Sequence, residues 1–540
     1  MVNLLESYTN KVIALDLPHI IKWYTCGPTI YADSHLGHAR TFITFDILRR
    51  YLESIGHIVL YTMNITDIDD KIMTKVKMIH WNNLLEKINI INNKSDGEKD
   101  NFIPLEQDEL EQILLKHYKE EELWPPKDLF YNFIDNEEKN FWNDMKSLNI
   151  KNPFAKIRVT EVHNEMIRFV ENLINKNMAY VSKSGSVYFD TKNFKELYPT
   201  LDFSLHQESE NDINKKNKFI SEKKNPRDFA LWKCVKKYEI PLDSPWSQGH
   251  WGWSLECSVM IQKLFNWNDD LNQNDIDIHS GGIDLKYPHH HNECLQTIAL
   301  TGNQKWVKYF LHSGHLYINK EKMAKSLGNF ITIKNFLQKH NYRILRLLFM
   351  NSNWCETLDF NTDIINQTVE LDNKIQNLYE HFQHHIRLNK IKNNISNSDI
   401  EFNNTIDTFK HNINIYWNDF NTTKIILEIR KIIDEIYKYL MVDYNLVNII
   451  KVKELLDVQF KIIAVEYDIV QNNNDNDKYI QTIVDIRNEI KNITLSIPKD
   501  NKDIKNKLFG LSDWIRDIKM KQIGIKIEDQ NNSIKWSYSK

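Results

Sequence analysis

The sequence predicts an α/β fold with a doubly wound parallel sheet, followed by a long helical region. Residues 21–75 read as strand, helix and strand: a short β-rich run, IKWYTCG, then helically spaced apolar residues in TFITFDILRRYLESIG, then the apolar run IVLYTMNITDIDD. From about residue 346 the pattern is almost entirely that of amphipathic helices. In a doubly wound sheet, ligand-binding groups are expected at the carboxyl ends of the strands.

Changes in composition divide the chain into six predicted segments. They are the first half of the sheet domain at 1–76, an insertion at 77–128, a connective subdomain at 129–250, the second half of the sheet domain at 251–345, a helical bundle at 346–474 and a C-terminal segment at 475–540. The insertion is charged and rich in Asn, with few apolar anchors, so we expect a surface elaboration. The string MAYVSKSGSVYFD predicts a hairpin, and IGIKIEDQNNSIKWSY predicts a terminal β-ribbon.

Length and composition indicate a large globular protein of a reducing compartment. The chain has 540 residues, of which 41% are hydrophobic, and a net charge of −4. No apolar run is long enough for a transmembrane helix, and the N-terminus shows no targeting signal, so we expect a cytoplasmic protein without a membrane partner. Its five cysteines are too few and scattered for a disulfide framework. An RNA partner would require local basic patches, and the C-terminal string KMKQIGIKIEDQNNSIKWSYSK carries local cations with an aromatic residue, Trp536, that we expect to be exposed.

Two short motifs carry most of the functional information. In CGPTIYADSHLGHAR, His35 and His38 flank Gly37 at a strand-to-helix turn. Glycine allows close backbone approach, imidazoles can donate to phosphate oxygens, and a helix N-terminus attracts anions, so the turn suits a nucleotide triphosphate. In KMAKSLGNF, Lys322 and Lys325 can follow negative charge onto a leaving pyrophosphate.

A candidate metal site is scattered over three segments. Cys26 ends the first strand, Cys257 lies in a predicted helix, and His289 and Glu293 share one face if PHHHNECLQ is helical. Two thiolates, an imidazole and a carboxylate make a plausible tetrahedral zinc set. Isolated cysteines are more often core residues than ligands, so spacing leaves both interpretations open. Competing ligands in the same segment are His290, His291 and Cys294.

The two motifs, in this order and separation, resemble the HIGH and KMSKS signatures of class I aminoacyl-tRNA synthetases. The strings WYTCGPTIYADSHLGHAR, MNITDIDDKI, NPRDFALWK, GWSLECSVM, DIHSGGIDLKYPHHHNE and HSGHLYINKEKMAKSLGNF resemble the ordered motifs of the cysteinyl-tRNA synthetases. The similarity covers about residues 20–345 apart from the insertion and continues more weakly to the C-terminus. The insertion and wording such as FALWK resemble the eukaryotic cytosolic branch.

The resemblance implies a Rossmann-type catalytic domain and an α-helical region that binds the anticodon. It implies ATP with Mg²⁺, L-cysteine and tRNA(Cys) as partners, one Zn²⁺ per subunit, and a monomer or homodimer. By this resemblance the zinc ligands are Cys26, Cys257, His289 and Glu293. The catalytic residues are His35, His38, Lys322 and Lys325. The further ATP contacts are Gly37, His279, Gly281, Gly282 and Asp284. The cysteine contacts are Thr66 and Trp253.

Four positions depart from the family pattern. Ala324 stands where the family usually has serine, Ser254 replaces a histidine, Ser280 replaces a glycine, and His291 replaces an acidic residue.

Two rival functions remain. One rival is a ligase that joins cysteine to a small-molecule amine, although such an enzyme would lack a long C-terminal RNA-binding region. The other is a non-catalytic RNA-binding paralogue, against which the intact HLGH turn and both loop lysines count.

Overall fold

The computed structural model forms two compact units. The sheet unit comprises Met1–Asn361 with Asn418–Phe420, and the helical unit comprises Thr362–Trp417 with Asn421–Lys540. The structure describes residues 2–92, 107–197, 222–265, 276–323, 329–388, 394–442, 444–467, 474–498, 501–530 and 533–538.

Strands and helices alternate through most of the sheet unit. Its strands are β1 Val2–Glu6, β2 Lys11–Leu15, β3 Ile20–Thr25, β4 Ile58–Ile65, β5 Ala155–Arg158, β6 Ala179–Val181, β7 Val187–Phe189, β8 Phe229–Cys234, β9 Gly249–Trp251, β10 Ile276–Gly282, β11 Val307–Ser313, β12 Leu316–Ile318, β13 Glu321–Lys322 and β14 Leu358–Phe360. Its longer helices are α1 Leu36–Ser54, α2 Asp70–Asn92, α3 Gln107–Leu114, α4 Lys127–Ser147, α5 His163–Asn175, α6 Thr191–Leu197, α7 Trp253–Phe265, α8 His291–Thr301, α9 Ile333–Leu337 and α10 Tyr342–Phe349.

The central sheet confirms the predicted parallel α/β fold. Its five strands lie in the order β11-β10-β3-β4-β5, and each neighbouring pair is parallel. The predicted strand, helix and strand of residues 21–75 are β3, α1 and β4. All of these strands run in one direction, so the residues that follow β3, β4, β10 and β11 meet at one edge. The predicted hairpin is also present, because β6 pairs antiparallel with β7.

The centre of this sheet is fixed by buried polar contacts between β3 and β10. The indole nitrogen of Trp23 donates to the Ser280 hydroxyl at 2.7 Å, and the Thr25 hydroxyl lies 2.7 Å from the same oxygen. All three residues are buried. Ser280, which departs from the family pattern, therefore supplies the acceptor that a buried tryptophan N–H requires.

The expectation of few apolar anchors in the insertion at 77–128 is wrong for its described part. Helix α2 begins at Asp70 and runs across residue 77 without a break. A buried cluster forms around α2 and α3; it consists of Trp81, Leu84, Ile88, Leu110, Leu114, Leu123 and Tyr238. The indole nitrogen of Trp81 donates to the Leu123 carbonyl at 2.9 Å. The apolar positions at helical spacing in LEQILL thus form a small core instead of a solvated face.

The helical unit confirms the predicted amphipathic helices from residue 362 onward, whereas residues 346–361 belong to the sheet unit and include β14. The helices of the helical unit are α11 Thr362–Leu388, α12 Asn397–Asn418, α13 Thr422–Leu440, α14 Leu446–Ile463, α15 Asn474–Ser496 and α16 Lys502–Trp514. Helix α13 shows why the pattern is amphipathic. One of its faces is buried and carries isoleucines spaced three or four residues apart, namely Ile425, Ile429, Ile432 and Ile436. The predicted terminal ribbon is the antiparallel pair β15 Ile525–Gln530 and β16 Ser533–Tyr538.

Within the described ranges, no helix is both long and apolar enough to cross a membrane.

We predict that Ser280→Ala destabilises the sheet unit by about 1–3 kcal/mol, because the Trp23 indole N–H loses its buried acceptor. Urea unfolding followed by tryptophan fluorescence measures the loss. In a Trp23→Phe background the same substitution should cost much less, because that donor is gone. Equal losses in both backgrounds would show that the hydrogen bond contributes nothing.

Candidate active site and metal group

A cavity of about 550 Å³ opens at the carboxyl edge of the parallel sheet. Its walls include the turn after β3, the start of α1, the residues after β4, the start of α7 and the turn after β10. Of the residues singled out in the sequence, the cavity is lined by Cys26, His35, Gly37, His38, Thr66, Trp253, Cys257, Gly282, Asp284 and His289. The fold therefore brings together residues that lie more than two hundred positions apart.

The HLGH turn is pre-organised by its own backbone. His35 is the N-cap of α1, and its Nδ1 accepts from the backbone N–H groups of Gly37 at 3.1 Å and His38 at 3.4 Å. The Nδ1 atom of His38 accepts in turn from the His35 backbone N–H at 3.4 Å, and the two rings stack with centroids 3.8 Å apart. An imidazole that accepts at Nδ1 carries its proton at Nε2 when neutral. Both rings therefore offer an Nε2–H donor beside a helix N-terminus.

Packing explains why residue 37 is a glycine and why His38 in this turn is uncharged. A Cβ atom at Gly37 would lie 2.9 Å from the His35 ring, so a larger residue would displace that ring. Burial, together with the neighbouring His35, holds the pKa of His38 well below its usual range. His38 is therefore neutral at physiological pH and acts as a hydrogen-bond donor, not as a fixed cation.

Three of the four predicted metal ligands, Cys26, Cys257 and His289, line the floor of the cavity, and Glu293 is buried next to His289. The Sγ atom of Cys26 lies 3.6 Å from the Sγ atom of Cys257 and 3.5 Å from Nε2 of His289. The same His289 atom lies 3.1 Å from Oε1 of Glu293, one helical turn further on. With metal–sulfur bonds of about 2.3 Å and metal–nitrogen or metal–oxygen bonds of about 2.0 Å, the ligand atoms of a tetrahedron lie roughly 3.3–3.8 Å apart. The observed spacings are close to that range.

Unpartnered buried atoms test whether a cation fits this group. Glu293 is fully buried, and its Oε1 atom accepts no well-aligned hydrogen bond among the described residues, although Nε2 of His289 lies 3.1 Å away. A buried carboxylate oxygen without a partner is costly unless a cation or donor faces it. The donor set of two sulfurs, one imidazole nitrogen and one carboxylate oxygen therefore fits a tetrahedral divalent transition metal.

Proton equilibria inside the cluster favour an anionic Cys257. Burial by itself would raise the pKa of Cys257, but a hydrogen bond from Cys26 and the proximity of His289 outweigh it and lower the pKa to about 6. Burial and the neighbouring Cys257 raise the pKa of Cys26 instead. One thiolate thus forms readily at neutral pH, and the second requires a cation.

His290 and Cys294 were left open as competing ligands. The side chains of Cys26, His289, His290 and Glu293 place ligand atoms within 4.8 Å of one another, so His290 lies close enough to compete with Cys257. Nδ1 of His290, however, lies 2.8 Å from Nε2 of His312. Burial and the carboxylates of Glu293 and Glu6 raise the pKa of Cys294, which holds this thiol neutral.

A polar network fixes Thr66 beside the metal group. The Gly27 N–H donates to the Asn64 side-chain oxygen at 2.8 Å, and the Asn64 amide donates to the Thr66 hydroxyl at 3.1 Å. Thr66 donates to the buried Glu256 carboxyl at 3.2 Å. Trp253 stacks on the His289 ring with centroids 4.4 Å apart and is 38% exposed. The side chains predicted to contact the amino acid therefore border the metal group directly.

Two predicted ATP contacts, His279 and Gly281, do not line the cavity. His279 is buried and does not line the cavity; its Nε2 lies 2.8 Å from Oε2 of Glu293, so it orients a predicted metal ligand. Gly281 faces inward, since a Cβ atom there would lie 2.8 Å from the Leu285 side chain, whereas Gly282 lines the cavity. Asp284 does line the cavity and lies 3.6 Å from His315.

The lysine motif is described only in part. The backbone of Lys322 belongs to β13. Lys325 and the altered position Ala324 lie outside the described residues. Two other departures have local contacts: the Ser254 hydroxyl accepts from Asn292 at 3.3 Å, and the His291 ring lies 5.7 Å from that of Tyr287.

Sequence reasoning missed three residues of this region. Lys71 and Tyr31 line the cavity, with the ammonium group 5.1 Å from the tyrosine ring centroid. His312 lies directly behind the metal group. The DDKI string was a signal for Lys71. It lies between the end of β4 and the first turn of α2, and side chains at strand ends face the ligand in such folds. His312 begins the HSGHLYINKEKMAKSLGNF string, but nothing in that string assigned it a role; its contact with His290 does.

Fold and site together define a class I aminoacyl-tRNA synthetase. Residues 15–370 match the family model of the class I (C) tRNA synthetase catalytic domain. The fold is similar to that of Mycobacterium tuberculosis methionyl-tRNA synthetase in complex with methionyl-adenylate, with a TM-score of 0.54 and 12% identity over 82% of this chain and 89% of that one.

Within this class, the chain belongs to the cysteine–tRNA ligase family. It is 32% identical to the cysteine–tRNA ligase of Methanococcus aeolicus over 529 residues, which cover 96% of this chain and 95% of the relative. It is 37% identical to the human cytoplasmic cysteine–tRNA ligase over 415 residues, or 65% of this chain. The match spans about half (54%) of that human protein.

We predict that the purified protein retains a divalent transition metal and that Cys257→Ser reduces its affinity by more than the roughly 10–100-fold typical of changes around a metal site. A hydroxyl is a far poorer ligand than a thiolate for such ions. Elemental analysis after gel filtration measures the metal. Cys234→Ser, in β8, is the matched control. Equal metal content in both variants would rule out Cys257 as a ligand.

Proposed function

We propose that this chain activates L-cysteine with ATP and transfers it to tRNA(Cys). The observation that carries the proposal is that Cys26, Cys257 and His289, three of the four predicted metal ligands, line the same cavity as the HLGH turn. A thiol-selective site beside a phosphate-binding turn suits the activation of cysteine by ATP. The relatives named cytoplasmic cysteine–tRNA ligases support this activity and a cytoplasmic location.

In the first step, the cysteine carboxylate attacks the α-phosphorus of ATP bound with Mg²⁺. A carboxylate–phosphorus bond forms, the bond to the β-phosphate breaks, and pyrophosphate leaves. The protein supplies no nucleophile, so its contribution is positioning and charge stabilisation. The Nε2–H groups of His35 and His38 and the N-terminus of α1 would hold the phosphates, and Lys322 and Lys325 would neutralise the departing pyrophosphate.

The floor of the cavity would select the amino acid. Thr66 and Trp253 border the space that the cysteine side chain must enter. When bound by Cys26, Cys257, His289 and Glu293, a zinc ion supplies a coordination position that prefers a thiolate to a hydroxyl. His279 would keep Glu293 oriented through their 2.8 Å contact. Such a site could reject serine, which hydrogen bonds and apolar contacts alone discriminate poorly.

In the second step, a hydroxyl of the terminal tRNA ribose attacks the adenylate carbonyl, and AMP leaves. We propose that the helical unit binds the tRNA, with 475–540 reading the anticodon. The earlier basis for this assignment, an exposed Trp536, is wrong: that residue is 1% exposed, donates to Gln481 at 2.7 Å and packs 4.0 Å below the Arg387 guanidinium. Trp514 is the better candidate, since it is 46% exposed and lies 4.9 Å from the Lys519 ammonium.

The decisive test is pyrophosphate exchange with cysteine and with serine, before and after removal of the metal. We expect cysteine-dependent exchange that far exceeds serine-dependent exchange and collapses when a chelator removes zinc. Charging of tRNA(Cys) separates the proposal from a ligase for small-molecule amines. A metal-free preparation that still discriminates strongly would refute the role of zinc, and a preparation without any exchange would refute the activity.

We predict that Lys325→Ala lowers the adenylation rate by about 10²–10³ while changing ATP affinity much less. The charge on the β-phosphate develops only as pyrophosphate leaves, so the ammonium group acts mainly in the transition state. Single-turnover adenylation at saturating ATP measures the rate. Lys339→Ala is a lysine control beyond the motif. An unchanged rate in Lys325→Ala would remove this residue from the mechanism.

We predict that Trp514→Ala combined with Lys519→Ala weakens tRNA charging while sparing cysteine-dependent pyrophosphate exchange. An exposed indole can stack on an unpaired base, and the adjacent ammonium can pair with phosphate. Stacking contributes about 1–3 kcal/mol per base, so the KM for tRNA should rise roughly 5–150-fold. Lys438→Ala, which removes an exposed lysine paired with Glu435, is the control. Equal loss of exchange and charging would indicate a structural role.

A further inference from the structure

Two buried histidines form a chain behind the predicted metal ligand Cys26. Nε2 of His290 lies 3.3 Å from the Cys26 sulfur, and Nδ1 of the same ring lies 2.8 Å from Nε2 of His312. His290 ends the helical turn Lys286–His290, and His312 belongs to β11. Both side chains are 99–100% buried, so solvent cannot replace either contact. The direction of the hydrogen bonds therefore has to be decided within the protein.

The remaining nitrogen of His312 decides that direction. Its Nδ1 is buried and has no hydrogen-bond partner among the described residues. If His290 donated to His312, a neutral His312 would carry its proton on that Nδ1 atom and would bury an unpaired N–H. If His312 donates from Nε2, Nδ1 holds only a lone pair. Buried unpaired N–H groups are rarer in proteins than unpaired acceptors, so the second arrangement is favoured.

This arrangement fixes the role of His290. Because Nδ1 of His290 accepts from His312, the proton of a neutral His290 lies on Nε2, the atom that faces Cys26. An Nε2–H group cannot bind a metal, but it can donate to a thiolate. A metal-bound cysteine is a thiolate, so the donor and the anion match.

We propose that His312 and His290 form a hydrogen-bond relay that ends on the Cys26 thiolate, which makes both histidines positioning residues and excludes His290 from the metal ligands. The inference rests on the proposed function only in assuming a metal at Cys26. The relay also suits the binding of cysteine: two thiolates and a carboxylate already place three negative charges around a divalent ion, and a substrate thiolate adds a fourth. A donor that disperses charge on Cys26 lowers the repulsion that the incoming thiolate meets.

Substitutions that keep or remove the donor test the relay. His312→Gln places an amide N–H near the position of Nε2, whereas His312→Phe keeps the ring volume without a donor. We expect His312→Phe to weaken zinc binding about 10–100-fold in competition with a chelator and to raise the KM for cysteine, with little change in the KM for ATP. His312→Gln should restore most of both. His57→Gln, just before β4 at the end opposite to the cavity, is the control. Equal effects of His312→Gln and His312→Phe would overturn the relay.

The cobalt(II)-substituted protein separates the relay from direct ligation by His290. A thiolate that loses a hydrogen bond is more easily oxidised, so the sulfur-to-cobalt charge-transfer band should move to lower energy in His290→Phe and His312→Phe. The ligand-field bands should keep the intensity of a tetrahedral site, because the ligand set is unchanged. Loss of the tetrahedral bands in His290→Phe but not in His312→Phe would identify His290 as a ligand and overturn the proposal. This spectrum does not depend on ligase activity, so failure of the proposed function would leave it interpretable.

Discussion

The parallel pairing of β3 with β10 is the constraint on which the site depends. Ser280 pairs in register with Thr25, and the Cys26 N–H donates to the Ser280 carbonyl at 3.0 Å. This register places Cys26 next to the end of β10, from which the turn carrying His289 and His290 departs. A slip of one residue would turn alternate side chains to the opposite face of the sheet. The buried contact of Trp23 with Ser280 opposes such a slip.

Several titratable side chains around the predicted metal group are buried from water. His279, His289, His290, Glu293 and His312 are all buried. Burial would disfavour any charge among them, but each contacts another member or a cysteine. This arrangement is the basis for proposing Cys257 rather than His290 as the fourth ligand. His290 is occupied by His312 and Cys26, whereas Cys257 has a pKa lowered to about 6 and faces His289.

Errors of the sequence reasoning share one physical cause. The residues 77–128 were expected to lack a core, and Trp536 was expected to be exposed. In both cases a side chain that contributes to the burial comes from a distant part of the chain. Tyr238 joins the cluster of α2 and α3, and Arg387 covers Trp536. His279 was expected at the nucleotide, yet it lies against Glu293. Local composition reports how polar a segment is, but burial depends on what packs against it.

The sequence by itself determined the parallel α/β class, the helical C-terminal region and the HLGH turn. These features follow from periodicity and from glycine and cap residues. The spacing of Cys26, Cys257, His289 and Glu293 left their role open, and only the family resemblance named them as ligands. The tertiary structure alone decided which of the three neighbouring histidines lines the cavity and which do not. His289, His290 and His291 are chemically identical neighbours, so only their surroundings distinguish them. His289 contacts Glu293, His290 lies between Cys26 and His312, and His291 lies near Tyr287. A histidine's tautomer is set by the partners of both its nitrogens, and those partners come from strands and helices far apart in the chain.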